Sequence, residues 1–243
     1  MEKIMLVAGC SHAAGSEIDG SQDSVYNRNH SFGNILAEKL GYRPINISSC
    51  AAANPTIARL VLEWFSQNYD PNTMKVFVSV SWTESSRIEI PSIQGTDYSC
   101  ANKTADWLST YDARFFRINQ GWPGGDGYEK RVLPFYQKFI ADNLTYLEIL
   151  SANLVLQLQW FFKSQNINYV MSNTMHMFNR DKHTEFFLNM IDKSKYLNHD
   201  NNDEAFYWKY KNAGYENLKA QYWHHGEEPH RLFAEELYNF ITE

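Results

Sequence analysis

The chain has 243 residues, a formal charge of −6, 15% aromatic residues and three cysteines. That length accommodates one sizeable α/β core and gives no reason to divide it, and the acidic balance argues against a nucleic-acid surface. With no apolar run of about 18 residues and no charged-then-apolar leader, neither a membrane span nor a signal peptide is expected, and the widely spaced Cys10, Cys50 and Cys100 predict free thiols in a reducing, cytoplasmic compartment.

Ile4-Met5-Leu6-Val7-Ala8 is continuously apolar, as a strand covered on both faces is, and it empties into Gly9-Cys10-Ser11-His12-Ala13-Ala14-Gly15. The segment 16–29 is polar and turn-rich. Ser31 caps a helix over Phe32 to Leu40 that Gly41 stops, and Ile45 to Ser48 is the second strand. Asn54-Pro55 opens a helix through Ile57, Leu60, Val61, Trp64 and Phe65, with Asn as cap and Pro in the first turn. Val76 to Ser81 is the third strand, leaving through Trp82-Thr83-Glu84-Ser85-Ser86-Arg87.

Residues 88–127 lose all periodicity and hold Tyr98, Trp107, Tyr111, Phe115, Phe116 and Trp122. So long a loop in a compact domain is usually functional, and it is read as an insertion over the strand ends, with a surface excursion or an oligomer contact as the alternative. Leu133 to Gln165 is helical, as two helices meeting near Asp142-Asn143, and Asn168 to Met171 is the fourth strand. His176 is expected to be a partly buried structural histidine, and short helices are expected over 182–222. Trp223-His224-His225-Gly226 leads into a last helix with Pro229 in its first turn and one apolar face of Leu232, Phe233, Leu237, Phe240 and Ile241. Alternating strands and helices imply a three-layer α/β/α sandwich around a parallel sheet.

Gly9-Cys10-Ser11 near one end and His224 before the last helix resemble the first and last blocks of the SGNH (GDSL-like) hydrolases, whose first block is Gly-Asp-Ser. His224 takes the place of the family's catalytic histidine when Ala234 is set against the alanine of its final helix. Ala51, in Ser49-Cys50-Ala51-Ala52, stands where the family has a glycine that lends an N–H to the oxyanion hole, a role open to Ala51 if φ stays negative. Thr83 stands where the family has an asparagine. The resemblance implies a flavodoxin-like sheet, a single domain over 1–243, and an esterase that uses Ser11 and His224 with Ala51 and Thr83 as oxyanion donors. His12, Asn54, Trp82, Arg87 and His225, which flank these exits, are expected to contact substrate. The carboxylate that the family places three residues before its histidine is Gln221 here.

The chemistry stands without the family. A serine hydroxyl needs a base in hydrogen-bond reach, and a neutral imidazole suits that task. The substrate implied is a small-molecule or glycan acyl ester, with a carbohydrate-linked acetyl ester favoured by the aromatic load. No cofactor and no metal are expected. A zinc site of His12, His224, His225 and His230 is the weaker alternative. A non-catalytic SGNH-like module that binds a glycan or partner is another, favoured by the departures at Cys10, Ala51, Thr83 and Gln221. Structurally, Thr83 could simply end its strand and the small residues around Ala51 could simply permit close packing. His225 exchanges with His224 on a one-residue shift. Cys10 and Cys50, at the ends of adjacent strands, are expected to be reduced neighbours.

Overall fold

A computed structural model describes residues 1–91, 115–118, 128–140, 143–179, 182–221 and 223–243. Strand β1 (Glu2–Gly9) is central, flanked by β2 (Arg43–Asn46) and β3 (Met74–Trp82), and the fourth strand, Asn168–Asn173, lies beyond β3. Every pairing in this sheet is parallel, with Val7 opposite Asn46, Gly9 opposite Ser81, and Trp82 opposite Asn173.

The apolar run of β1 divides by its period of two. Ile4, Leu6 and Ala8 enter one core with Ile57, Val61, Trp64, Val155 and Phe162. Met5 and Val7 enter the other with Phe32, Leu36, Phe233 and Leu237. Helices therefore cover both faces: α1 (Ser11–Ala14) and α2 (Val25–Asn29) are short, α3 (Phe32–Lys39) packs on one side and α4 (Asn54–Asn68) on the other. This is the expected three-layer α/β/α arrangement, with the strand order of a flavodoxin-like sheet.

The elements depart from expectation in places, each for a local reason. β2 begins at Arg43 rather than Ile45 because it is an edge strand, where Pro44 lacks no needed N–H; the ladder continues past it through Ile47 N–H to Val7 O at 2.8 Å and Ser49 N–H to Gly9 O at 3.0 Å. The fourth strand runs on to Asn173 because Ser172 and Asn173 pair with Ser81 and Trp82. The stretch read as aperiodic contains an antiparallel ribbon, β4 (Ile88–Pro91) with β5 (Phe115–Ile118), separate from the main sheet. The ribbon is held to α4 by Glu89, whose two oxygens accept from Arg59 Nε and Nη2 at 2.7 and 2.9 Å. Tyr98, Trp107, Tyr111 and Trp122 of the expected insertion, and Cys100, lie outside the described residues.

The long helical stretch is two helices, α5 (Tyr128–Phe139) and α6 (Leu144–Ser164), with Asn143 capping the second by accepting from Tyr146 N–H at 3.1 Å. The fourth sheet strand is β6 in chain order, and after it come α7 (Glu185–Leu188), α8 (Phe206–Asn212) and α9 (Glu227–Thr242). His176 is exposed rather than partly buried, because its ring rests on Trp208, with centroids 4.8 Å apart, on the outside of α8. No described helix is long and apolar enough to cross a membrane.

Candidate active site

The carboxyl edge of the sheet is where an open α/β fold gathers its functional groups, and here β1 turns there directly into α1. Cys10 is the last extended residue, at φ −88, and Ser11 is the first helical one. The turn needs glycine at position 9. A Cβ there would lie 2.5 Å from Ala13 Cβ and 2.9 Å from Ser81 O, so α1 and β3 approach β1 too closely for any side chain. Gly15 ends α1 in the left-handed region, at φ 76, and sends the chain into the loop that carries Glu17.

Ser11 and His224, 213 residues apart, meet: Ser11 Oγ lies 2.8 Å from His224 Nε2. On the other side of the ring, His224 Nδ1 lies 2.6 Å from Glu17 Oε2. A carboxylate can only accept, so Nδ1 carries the proton and Nε2 offers a lone pair to the serine hydroxyl. Burial holds His224 below the ordinary imidazole range; the hydrogen bond and charge of Glu17 pull the other way, and Arg87 adds to the depression. Burial therefore favours the neutral form of this imidazole.

Glu17 is the residue that reading the sequence missed. The carboxylate was sought before the histidine, at Gln221, but the one in contact with the His224 ring comes from the loop that follows Ser11. Gln221 still takes part through its backbone: its N–H donates to Glu17 Oε1 at 2.9 Å, as Gln22 Nε2 does at 3.0 Å. The backbone of Glu17 is left-handed, at φ 64, and its carbonyl accepts from Asn217 Nδ2 at 2.9 Å and from Gly20 N–H at 3.0 Å. A glutamate at positive φ is uncommon and is held only by surroundings that over-determine it. The available signal was an acidic residue, the first of three with Asp19 and Asp23, in the short glycine- and serine-rich loop that follows Ser11.

The expected oxyanion donors lie on the same edge. The tight turn closed by Ala52 N–H to Ser49 O, at 3.1 Å, puts Ala51 at φ 54. The expected negative φ is thus corrected: the turn demands a left-handed residue at this position, and alanine is strained in it. Thr83 is fully buried, and its Oγ1 has no hydrogen-bond partner. Among the described residues, the N–H groups of Ser11 and Ala51 likewise donate to no protein acceptor. Asn54 holds Thr83 from both sides, its Oδ1 accepting from Thr83 N–H at 2.9 Å and its Nδ2 donating to Thr83 O at 3.1 Å.

Two expected contact residues are therefore corrected. Asn54 engages both ends of its amide with the Thr83 backbone and with Ser151 Oγ, so it positions Thr83. Trp82 is fully buried, in the core shared with α4, because β3 is an inner strand with both faces covered. His225 does not face Ser11: its Nε2 lies 3.0 Å from Tyr207 O, with its ring among Phe206, Tyr207 and Tyr210. His12 is buried against His224, Phe206 and Tyr207, and its Nδ1 has no partner. Burial, and after it the neighbouring histidines and Arg87, hold His12 well below the ordinary imidazole range. His230 Nδ1 accepts from Phe32 N–H at 3.2 Å.

These engagements leave the four histidines in separate tasks, and among the described residues no group of three or more His, Cys, Asp or Glu could hold a metal ion. Cys10 and Cys50 are free thiols with different partners: Cys10 Sγ lies 3.2 Å from Thr174 Oγ1, and Cys50 Sγ lies 3.3 Å from Ser16 Oγ.

No family model matches the sequence, and no curated protein matches it. Among solved structures, the chain is similar to a member of the lipolytic protein G-D-S-L family from Veillonella parvula, at 12% identity and a TM-score of 0.36, over 100% of each chain. It is also similar to a carbohydrate esterase whose active site is described as displaying divergent catalytic and non-catalytic binding functions, at 11% identity and a TM-score of 0.42, over 99% of this chain and 64% of that one.

Proposed function

We propose that the chain is a serine ester hydrolase of the SGNH type, acting on an acyl ester of a small molecule or a glycan. The observation that carries this reading is the unbroken line from Ser11 Oγ through the His224 ring to the Glu17 carboxylate, with contacts of 2.8 and 2.6 Å. A buried imidazole fixed in one tautomer, with its free lone pair on a serine hydroxyl, is the arrangement that activates a weak nucleophile.

In the first half-reaction Ser11 Oγ attacks the ester carbonyl carbon while its proton passes to His224 Nε2. The negative charge that develops on the carbonyl oxygen is met by the free N–H groups of Ser11 and Ala51 and by the Thr83 hydroxyl. Glu17 stabilises the imidazolium. His224 then returns the proton to the departing alkoxide, which leaves an acyl group on Ser11. A water molecule, deprotonated by the same nitrogen, attacks that acyl carbon; the bond to Ser11 Oγ then breaks, His224 returns the proton to Oγ, and the acid is released.

The test is hydrolysis of 4-nitrophenyl acetate with covalent labelling by a fluorophosphonate. Turnover and labelling at Ser11 are expected, and both should vanish in Ser11→Ala. A well-folded wild-type protein that neither turns over the ester nor is labelled at Ser11 would overturn the reading in favour of a non-catalytic binding module.

A further inference from the structure

Arg87 is a cation at the carboxyl edge of the sheet that the mechanism leaves unused. Its side chain is nearly closed off, the residue being 9% exposed. It leaves the same carboxyl edge as Thr83, in a turn where Arg87 N–H donates to Glu84 O at 3.2 Å. A guanidinium presents about five N–H donors in a planar fork. Among the described residues its side chain meets a single polar group, Glu84 Oε2, which accepts from Nε at 3.2 Å. The two terminal amino groups donate to no described residue. Charges this far from water are normally paired and hydrogen-bonded in full, so among the described residues only one of about five N–H donors of this fork has a partner.

Its location makes the vacancy informative. The field of Arg87 reaches both His12 and His224 and disfavours the protonated form of each. For a base that must become imidazolium in the transition state, a nearby cation offset only by Glu84 at its Nε works against the reaction. An anion seated on the fork would cancel that field and make His224 a better base when substrate is bound. The flat fork matches the two oxygens of a carboxylate.

Resting on the hydrolase reading above, we propose that Arg87 is the anchor for a carboxylate carried by the substrate, so that the preferred substrates are esters bearing a carboxylate near the scissile acyl group. Specificity in this site then comes from charge placed beside the nucleophile, in a chain whose formal charge of −6 would otherwise repel such a substrate.

Two matched pairs of esters test the proposal. 4-Nitrophenyl hydrogen succinate against 4-nitrophenyl butyrate places the charge on the acyl side; 4-acetoxybenzoate against its methyl ester places it on the alcohol side. The wild-type enzyme should favour the charged member of at least one pair in kcat/KM by about tenfold or more, mainly through KM. Arg87→Gln should collapse that ratio towards one, and Arg87→Lys should restore part of it. No charged preference in either pair, or an Arg87→Gln enzyme whose kcat falls equally on charged and neutral esters, would overturn the proposal; the second result would put the guanidinium on the oxyanion. Should the wild-type protein hydrolyse none of the four, the hydrolase reading fails and the anchor is judged by binding. Benzoate should then shift amide resonances around Arg87 where benzamide does not, and Arg87→Gln should lose the response. An identical response to both probes, or none, would overturn the anchor as well.

Discussion

Replacing Glu17 by Gln keeps the shape of a side chain that is 1% exposed and removes only its charge. Among the described residues, Glu17 Oε1 accepts from Gln22 Nε2 and Gln221 N–H, and Oε2 accepts from His224 Nδ1. In the variant the amide oxygen can serve only one of these sides. Turned to His224, it strands two buried N–H groups against its own NH2, at about 1–3 kcal/mol each. Turned to Gln22 and Gln221, it keeps both bonds but aims NH2 at His224 Nδ1, which must then become the acceptor. The second arrangement wins, and it moves the imidazole proton to Nε2, the nitrogen 2.8 Å from Ser11 Oγ. The ring then donates to the serine instead of taking its proton. An equivalent exchange in a serine protease lowers kcat by about 10⁴, and a loss of about 10³ to 10⁴ is expected here, or roughly 4–5.5 kcal/mol in the barrier, with KM little changed. Because Glu17 raises the His224 pKa, its loss should also carry the acid limb of any residual activity to lower pH. Steady-state kinetics and the ¹⁵N shifts of the His224 ring measure both effects. Activity within tenfold of wild type, with the proton still on Nδ1, would refute the assignment.

Three further outcomes follow from the same geometry. Thr83→Val removes a buried hydroxyl that has no partner, so stability should hold or rise by about 1 kcal/mol while kcat falls about 10²–10³; unchanged kcat would remove Thr83 from the oxyanion site. Gly9→Ala forces a Cβ to within 2.5 Å of Ala13 Cβ and should destabilise by about 1–3 kcal/mol in urea titration, and wild-type stability would contradict the close approach. His12 and His230 are held well below 6.5, first of all by burial. Each takes up a proton on unfolding once the pH drops below that value, so their contribution is complete above about pH 6.5 and is lost as pH falls towards their folded pKa values. The urea midpoint should therefore drop between about pH 7.5 and pH 5, with a smaller drop in His230→Gln, and a midpoint flat across that range would show the two rings to be solvated.

The sheet could be read from the sequence because a strand buried on both faces is a continuous apolar run, and β1 is such a run. That Ser11 and His224 meet follows from topology alone, since a parallel sheet collects its strand exits at one edge. Glu17 was hidden because a loop position gives no periodic signal, and the acid was sought at a fixed spacing from the histidine. Trp82 and Asn54 show a different limit. Residue type marked them as able to contact a ligand, but their direction depends on which strand is inner and on which backbone needs a partner. At Ala51 an N–H donor with negative φ was expected from the small residues of the segment, while the sign of φ is decided by the hydrogen bond that closes the turn between Ser49 and Ala52. The choice of His224 over His225 is set by Tyr207, whose carbonyl holds the second ring away.

Because the acid and the nucleophile leave β1 on one short segment, they move as a unit, and only the imidazole is imported, from 213 residues away. Its loop is seated by α9, which packs on α3 through Phe233 and Leu237 against Phe32 and Leu36 and is pinned by His230 to Phe32 N–H. Any loosening of that distant clasp misaligns one partner of three while leaving the other two in register. The proposed turnover thus becomes a gauge of how firmly the far end of the chain is seated, and damage to the α3–α9 seam is expected to break the Ser11–His224–Glu17 line without touching any of its three members.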